Sequence, residues 1–300
     1  MAIESKNLEL YKKAQSLGLK QISFSQLSMF LSCPLQYKYQ YIENRKTPFQ
    51  ESIHLIFGTA LHTAFQEFLQ LYYNKTINEA IRHDTNKVLL STLKECYSNR
   101  KNKEEHYTTP EQLQQFYLQG TKILDYVKKN VSEIFPKRNH KLIGVEYPIF
   151  HQLNDKIVFI GLADIVIKNE IDNSLLIPDI KTSGRGWSES DKKDWIKLLQ
   201  LRLYKKFLSI QFNIPIEKIY SEYLVCKREM NGNDYEKQIQ RVPVPSGKII
   251  DKKVDKSLED FLYLFDENGI AKTDYEFSKA TYPITCKWCQ YQKDGICNGI

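Results

Sequence analysis

Three residues in two short apolar segments carry the strongest chemical signal in this chain. They are Asp164 in Gly161-Leu-Ala-Asp-Ile-Val-Ile, and Asp179 and Lys181 in Leu176-Ile-Pro-Asp-Ile-Lys-Thr-Ser. Side chains alternate along a strand, so Asp179 and Lys181 project side by side from one face. A carboxylate sunk among Val, Ile and Leu is costly unless it is paired or holds a metal. Two such carboxylates from neighbouring strands make a hard, oxygen-rich site that suits Mg²⁺ or Mn²⁺. The lysine reaches the same space as a point charge. Phosphodiester hydrolysis needs this combination: a metal to activate water and hold the phosphate, and a cation to stabilise charge building on phosphorus. The plainer alternative is a strand-end salt bridge between Asp179 and Lys181, with Asp164 capping a turn. An acid in an apolar strand fifteen residues before Asp179 weighs against it.

Two residue pairs at helical spacing could line a cleft over such a sheet. His62 and Gln66 are four apart in Gly58-Thr-Ala-Leu-His-Thr-Ala-Phe-Gln, and Gln200 and Tyr204 are four apart in Gln-Leu-Arg-Leu-Tyr. Each pair is unremarkable alone.

The cysteines form a second constellation. Cys286-x₂-Cys289-x₇-Cys297 sits in an irregular tail, and Cys33, in Ser-Cys-Pro, lies 253 residues before Cys286. Three cysteines this close suit a metal or cluster, and a [4Fe–4S] cluster or a Cys₄ zinc site requires a fourth. Cys33 is the best candidate, because Cys96 and Cys226 read as helix and strand residues. Such a site would pin the N-terminal helix to the C-terminal tail and act partly as a folding staple.

These residues need elements to hold them. Apolar spacing predicts helices over 25–42 and 57–73, the second carrying Leu61, Phe65, Phe68, Leu69 and Tyr72 on one face. Residues 75–130 read as charged and helical with a break near Pro110. Val-, Ile- and Leu-rich stretches predict strands over 142–150, 157–168 and 174–182, with a hairpin turn at 169–173. A helix is expected over 191–212, with Ile196, Leu199, Leu203, Phe207 and Ile210 on one face and Gln200 and Tyr204 on its polar flank. Strands over 218–226 and 237–244 and a helix over 256–265 follow. The order predicts an α/β fold with a small mixed central sheet flanked by helices. Residues 1–300 read as one domain, with a helical insertion at about 75–135 and a Cys-ligated lobe formed by about 21–45 and 280–300.

Composition sets bounds on these readings. With 300 residues, 42% hydrophobic and 12% aromatic, the chain can bury a core of its own, and intrinsic disorder is excluded. No apolar run approaches the roughly 18 residues of a membrane span. Residues 1–20 contain no apolar signal core, so a cytoplasmic location is expected and the cysteines are not read as disulfides. A net charge of +7 is consistent with a polyanionic partner. Tyrosines around Cys33 read as an exposed surface for stacking bases.

In order along the chain, Ser23-Phe-Ser-Gln-Leu with Cys33-Pro-Leu-Gln-Tyr-Lys-Tyr, Gly58-Thr-Ala-Leu-His62, Gly161-x₂-Asp164, Asp179-Ile-Lys181-Thr-Ser and Gln200-Leu-Arg-Leu-Tyr204 resemble the PD-(D/E)xK nucleases of the RecB type. The one-then-three cysteines are similar to the iron–sulfur subgroup, which includes AddB and the Cas exonucleases of CRISPR adaptation. The resemblance spans about 21–300 and implies a restriction-endonuclease-like core. It implies His62, Asp164, Asp179 and the Ile180 carbonyl as ligands of Mg²⁺ or Mn²⁺, and Lys181 as the catalytic lysine. Gln200 and Tyr204 would contact DNA and order the site, and Cys33, Cys286, Cys289 and Cys297 would hold a [4Fe–4S] cluster. Glu146 matches an acid often found on the preceding strand, without a defined role. The gap from Cys289 to Cys297 is at the long end for the subgroup, which leaves zinc or an absent cluster as alternatives. The implied activity is a deoxyribonuclease, an exonuclease on single-stranded DNA or DNA ends, in recombination, repair, phage DNA processing or CRISPR adaptation, bacterial or phage-encoded. No G-x₄-GK-[ST] loop is present, so any helicase or recombination partner would be a separate chain. The competing readings are a silent DNA-binding or scaffold subunit and a zinc-stapled structural protein.

Overall fold

The computed structural model describes residues 2–45, 52–101, 108–229, 237–280 and 282–299. Its centre is a six-stranded mixed sheet. Helix α1 (Ala2–Ser16) precedes β1 (Lys20–Ile22), and α2 (Phe24–Ser32) follows, its N-cap Ser23 accepting a hydrogen bond from the Gln26 amide. The helix expected over 25–42 is broken at Cys33, which is extended at φ −160° and ψ 98°. The break has a local cause: the residue before a proline is pushed out of the helical region. Pro34 then opens α3 (Pro34–Tyr37), and a π-helical turn runs over Lys38–Ile42.

Helix α4 (Ile53–Asn74) buries Phe57, Leu61, Phe65, Phe68, Leu69 and Tyr72 in a cluster shared with the sheet and the helices that follow, matching the expected stripe and extending it toward the N-terminus. The charged segment after it divides into α5 (Ile77–Arg82), α6 (Thr85–Lys101) and α7 (Pro110–Lys129). Thr76 and Thr109 stop and restart the chain through capping boxes with Glu79 and Gln112. The stretch 102–107 lies outside the described residues. A short α8 (Val131–Ile134) leads into the strands.

β2 (His140–Gln152) and β3 (Ile157–Asn169) form a long antiparallel pair. β1 pairs in parallel with β3 at Ile157 to Phe159. β4 (Leu175–Ser183) meets β3 only at Ile167↔Leu176 and Lys168↔Leu175. Continued along both strands, this register would set Asp164 opposite Asp179, and like charges directly across a ladder are unfavourable. The ladder stops before reaching them, and the strands part. β4 runs parallel to β5 (Ile219–Lys227), which pairs antiparallel with the edge strand β6 (Ile239–Pro243).

Between β4 and β5 lies α9 (Trp195–Phe212), capped by the Asp194 side chain on two amides. It is buried on most of its circumference, and Tyr204 belongs to the core rather than to a polar flank. Ile210, expected inside, is 55% exposed. Helix α10 (Lys248–Leu262) starts eight residues before the expected 256, immediately after Gly247. The tail holds two short helices, α11 (Pro283–Lys287) and α12 (Gln290–Lys293). Helices cover both faces: α4 packs one cluster with Ile165, Ile180 and Leu224, and α9 packs another with Phe159, Ile177 and Tyr223. No helix among the described residues is long and apolar enough to cross a membrane.

Candidate active site

The gap where β3 and β4 part is the site. Asp164 replaces the missing ladder bond: its Oδ2 accepts the Ile180 amide at 2.8 Å. From the α4 side, His62 Nε2 lies 2.7 Å from the Ile180 carbonyl oxygen. A carbonyl only accepts, so Nε2 donates to it, and Nδ1 faces Asp164 Oδ2 at 3.5 Å. The third member is Glu146 of β2. One donor atom each from His62, Glu146 and Asp164 lie within 4.8 Å of one another, and both carboxylates are buried.

Glu146 sits at φ +45°, a region that costs a non-glycine residue strain and marks functional positions. Its Oε1 accepts a 2.6 Å hydrogen bond from Gln66, one turn after His62 on α4. The His62 and Gln66 pair therefore acts at one place, with His62 at the ligand group and Gln66 behind it. Gln66 was legible only as a helical neighbour of His62, and nothing local in the sequence signals its contact with a residue 80 positions away.

Asp179 faces the other side of β4 from Ile180 and is fully buried. Neither of its oxygens receives a well-formed hydrogen bond, although Lys181 Nζ stands 2.7 Å from Oδ2. Burial, and then repulsion from Asp164, push its carboxyl up to about 6. Burial opposes the charge on Lys181, but Asp179 and Asp164 outweigh it and raise the ammonium above its usual value. Asp179 stands outside the His62, Glu146 and Asp164 group. Its unpartnered buried Oδ1, and the one imidazole and two carboxylates beside it, fit a hard divalent cation.

Helix α9 supplies the last pair. Lys181 Nζ donates to Gln200 Oε1 at 3.2 Å, and Gln200 Nε2 donates to the Tyr204 hydroxyl at 3.3 Å. Burial holds the Tyr204 phenol well above its usual range. Its ring explains Gly161: a Cβ there would sit 3.1 Å from the Tyr204 ring and hydroxyl. The glycine of Gly161-x₂-Asp164 is space for Tyr204.

The four singled-out cysteines also come together. Cys33, Cys286, Cys289 and Cys297 line one small cavity of about 20 Å³, with Leu35, Tyr39 and Tyr291 among its walls. Cys33, Cys286, Cys289 and Cys297 are free thiols, and Cys96 and Cys226 lie elsewhere. Burial, then the proximity of Cys289 and Cys286, raise the Cys33 thiol. The chain ends are joined here by Leu35 N donating to Ser278 O and by the Tyr291 hydroxyl donating to Arg45 O. The exposed tyrosine surface expected near Cys33 is not found. Tyr37 is core, tilted against Tyr41 and edge-on to Phe30 and Phe261, and Tyr39 and Tyr41 are half-buried. Apolar packing inside the helical turn claims rings that looked free by residue type.

Fold and site together define an α/β enzyme with a metal-ligand group at a split in its sheet and a lysine beside it. The chain belongs to the PD-(D/E)XK nuclease superfamily, whose family model matches residues 21–298. No curated protein matches by sequence. Among solved structures, a "Putative exonuclease" from Eubacterium rectale is similar in fold, with a TM-score of 0.53 and 12% identity over 95% of this chain and 90% of that one. SSO0001 also aligns over 98% of this chain and 94% of that chain at 15% identity, with a TM-score of 0.38.

Proposed function

We propose that this protein is a divalent-metal-dependent deoxyribonuclease acting as an exonuclease on single-stranded DNA or DNA ends. The observation that carries the reading is the set of His62, Glu146, Asp164, Asp179 and Lys181 around one split in the sheet, with Asp179 Oδ2 held by Lys181 and its buried Oδ1 left without a hydrogen bond. A chain with no metal to bind has no physical reason to keep such groups buried. The E. rectale neighbour's description supports exonuclease as the mode.

Each residue takes a role its surroundings support. His62, Asp164, Asp179 and the Ile180 carbonyl hold the cation, and Glu146 joins them. A cation held there supplies Lewis acidity toward a phosphate oxygen and lowers the pKa of water. Lys181 presents its ammonium to the charge that develops on the phosphate oxygens. Asp179 and Gln200 fix that ammonium from two directions, and Tyr204 fixes Gln200. His62 is oriented by its Nε2–H donating to the Ile180 carbonyl, which turns Nδ1 toward Asp164.

Cys33, Cys286, Cys289 and Cys297 are proposed to hold a [4Fe–4S] cluster, with zinc as the alternative. The convergence of four free thiols on one cavity supports a tetrathiolate site. Residues 1–300 would form one nuclease domain working in the cytoplasm, with a helicase or recombination protein as its partner. The test is digestion of end-labelled single- and double-stranded DNA by anaerobically purified protein with Mn²⁺, Mg²⁺ or EDTA. Metal-dependent loss of label that Lys181→Ala abolishes is expected. A folded, cluster-loaded wild type that leaves both substrates intact overturns the enzyme.

A further inference from the structure

We propose that the segment carrying Cys286 and Cys289 presents a stacking platform for single-stranded DNA, with the Trp288 indole against a base and Lys287 and Lys293 at the flanking phosphates. This deepens the DNA reading above and rests on it.

Trp288 is 71% exposed. The other two tryptophans are packed: Trp187 lies against Tyr223 at 4.9 Å, and Trp195 is covered by Arg202 at 4.4 Å and Lys253 at 4.0 Å. Trp288 is not alone, because Tyr282 is 68% and Ile284 63% exposed within the same seven residues. Lys287 Nζ lies 5.4 Å and Lys293 Nζ 5.9 Å from the Trp288 ring centroid. Residues 277–297 carry Lys279, Lys287 and Lys293 against the single acid Asp294.

An exposed indole edged by ammonium groups is matched by a partner that offers flat rings and a negative charge at each step. Single-stranded nucleic acid offers both, and its bases stack on aromatic side chains with little regard to sequence. A duplex keeps its bases stacked on each other, so the platform selects for an open strand. The backbone under the ring is held by the Cys289 amide donating to Cys286 O at 2.9 Å, and both thiols line the cysteine cavity. A group bound at those thiols would fix the platform to the rest of the chain.

The experiment measures binding of a fluorescein-labelled oligothymidylate of about twenty nucleotides in EDTA, where no cleavage occurs. Trp288→Ala should raise Kd about tenfold, in line with the loss of one stacked base. Trp288→Phe should keep most of the affinity, and Lys287→Gln with Lys293→Gln should flatten the dependence of log Kd on log salt by about 1.4. In wild type, DNA should quench tryptophan fluorescence and shield it from acrylamide. That reading holds even if the alanine variant folds poorly. Unchanged affinity in Trp288→Ala overturns the proposal. So does Trp288-dependent self-association with unaltered DNA binding, which would make the patch a contact between copies. Hydrolysis of bis-p-nitrophenyl phosphate, too small to reach the platform, is followed separately. Its absence from wild type counts against the nuclease alone, whereas an unchanged Trp288→Ala counts against the platform alone.

Discussion

The two constellations in this molecule are built by opposite means. The split in the sheet takes its donors from long, regular elements: α4, β2, β3, β4 and α9. The cysteine cavity takes its donors from chain bends and short helices at the two ends of the sequence. In the first, like charges are forced together and held by a scaffold of buried helices and strands. In the second, the irregular segments have few hydrogen bonds of their own between chain ends. Regular elements fix reacting groups to the tolerance that chemistry demands. Irregular segments joined by thiols depend on what the thiols bind, because ligation energy becomes folding energy.

The sharpest way to break this comparison is to exchange the expected phenotypes. Lys181→Ala should cut single-turnover cleavage by about 10²–10³, the loss typical of one preorganised charge-stabilising group, and move Tm little. Cys289→Ser should lower Tm by several degrees and remove any bound iron or zinc. Cleavage per folded molecule should stay close to wild type. Kinetic assays and thermal melts on both variants decide it. A Cys289→Ser protein with unchanged Tm would show that the cysteine lobe folds without help.

Within the split, the comparison sharpens at Asp179. Its carboxyl sits at about 6 in the folded chain against about 3.9 unfolded. Between those values the native state binds more protons than the unfolded state. Stability of the metal-free protein should therefore fall as pH rises from about 4 to 6, by at most ~2–3 kcal/mol. Asp179→Asn should remove that slope, and saturating Mg²⁺ should oppose it, since ligation favours the ionised carboxylate. Melts of both proteins in EDTA across this range measure it. Identical slopes would sink the assignment of the repulsion to Asp179.

Gln66 tests whether the strained Glu146 belongs with the metal group. Gln66→Leu removes the donor 2.6 Å from Glu146 Oε1 while keeping volume near that of glutamine. Loss of such a supporting contact should weaken Mn²⁺ binding about 10–100-fold. Calorimetric titration of Mn²⁺ reads this directly. An unchanged affinity would leave Glu146 as a buried polar residue without a metal role.

Much of the split was legible because strand alternation and helical spacing translate directly into space. Asp179 and Lys181, two apart, do stand side by side, and the three strands from 140 to 183 fall where apolar runs predicted them. The cysteine convergence was legible from residue chemistry rather than from periodicity. What spacing could not carry was anything set by long-range packing. The unmade ladder between Asp164 and Asp179, the left-handed Glu146 and its Gln66 partner arise only once the strands are paired. The exposed Tyr37 surface failed for the same reason, because a ring's exposure depends on what folds over it. The early start of α10 was missed because its first turns are mostly charged, although Ile250 and Val254 continue the stripe of Leu258 and Phe261.

The smallest effect tests how far the positioning of Lys181 reaches. Lys181 donates to Gln200, and Gln200 donates to Tyr204, so the phenol oxygen lies two bonds from the reacting charge. Tyr204→Phe keeps the ring that fills the space over Gly161 and removes only the acceptor of the Gln200 amide. A lost neutral hydrogen bond is worth ~0.5–1.5 kcal/mol, so kcat should fall about 2–10-fold with KM nearly unchanged. Gln200→Ala should cost more, because it also frees the lysine. If the phenol acts through the amide, the double variant should be no worse than Gln200→Ala alone, a non-additivity that a cycle of the four proteins measures. Full additivity would mean that Tyr204 acts by another route, and the relay from α9 to the lysine would end at Gln200.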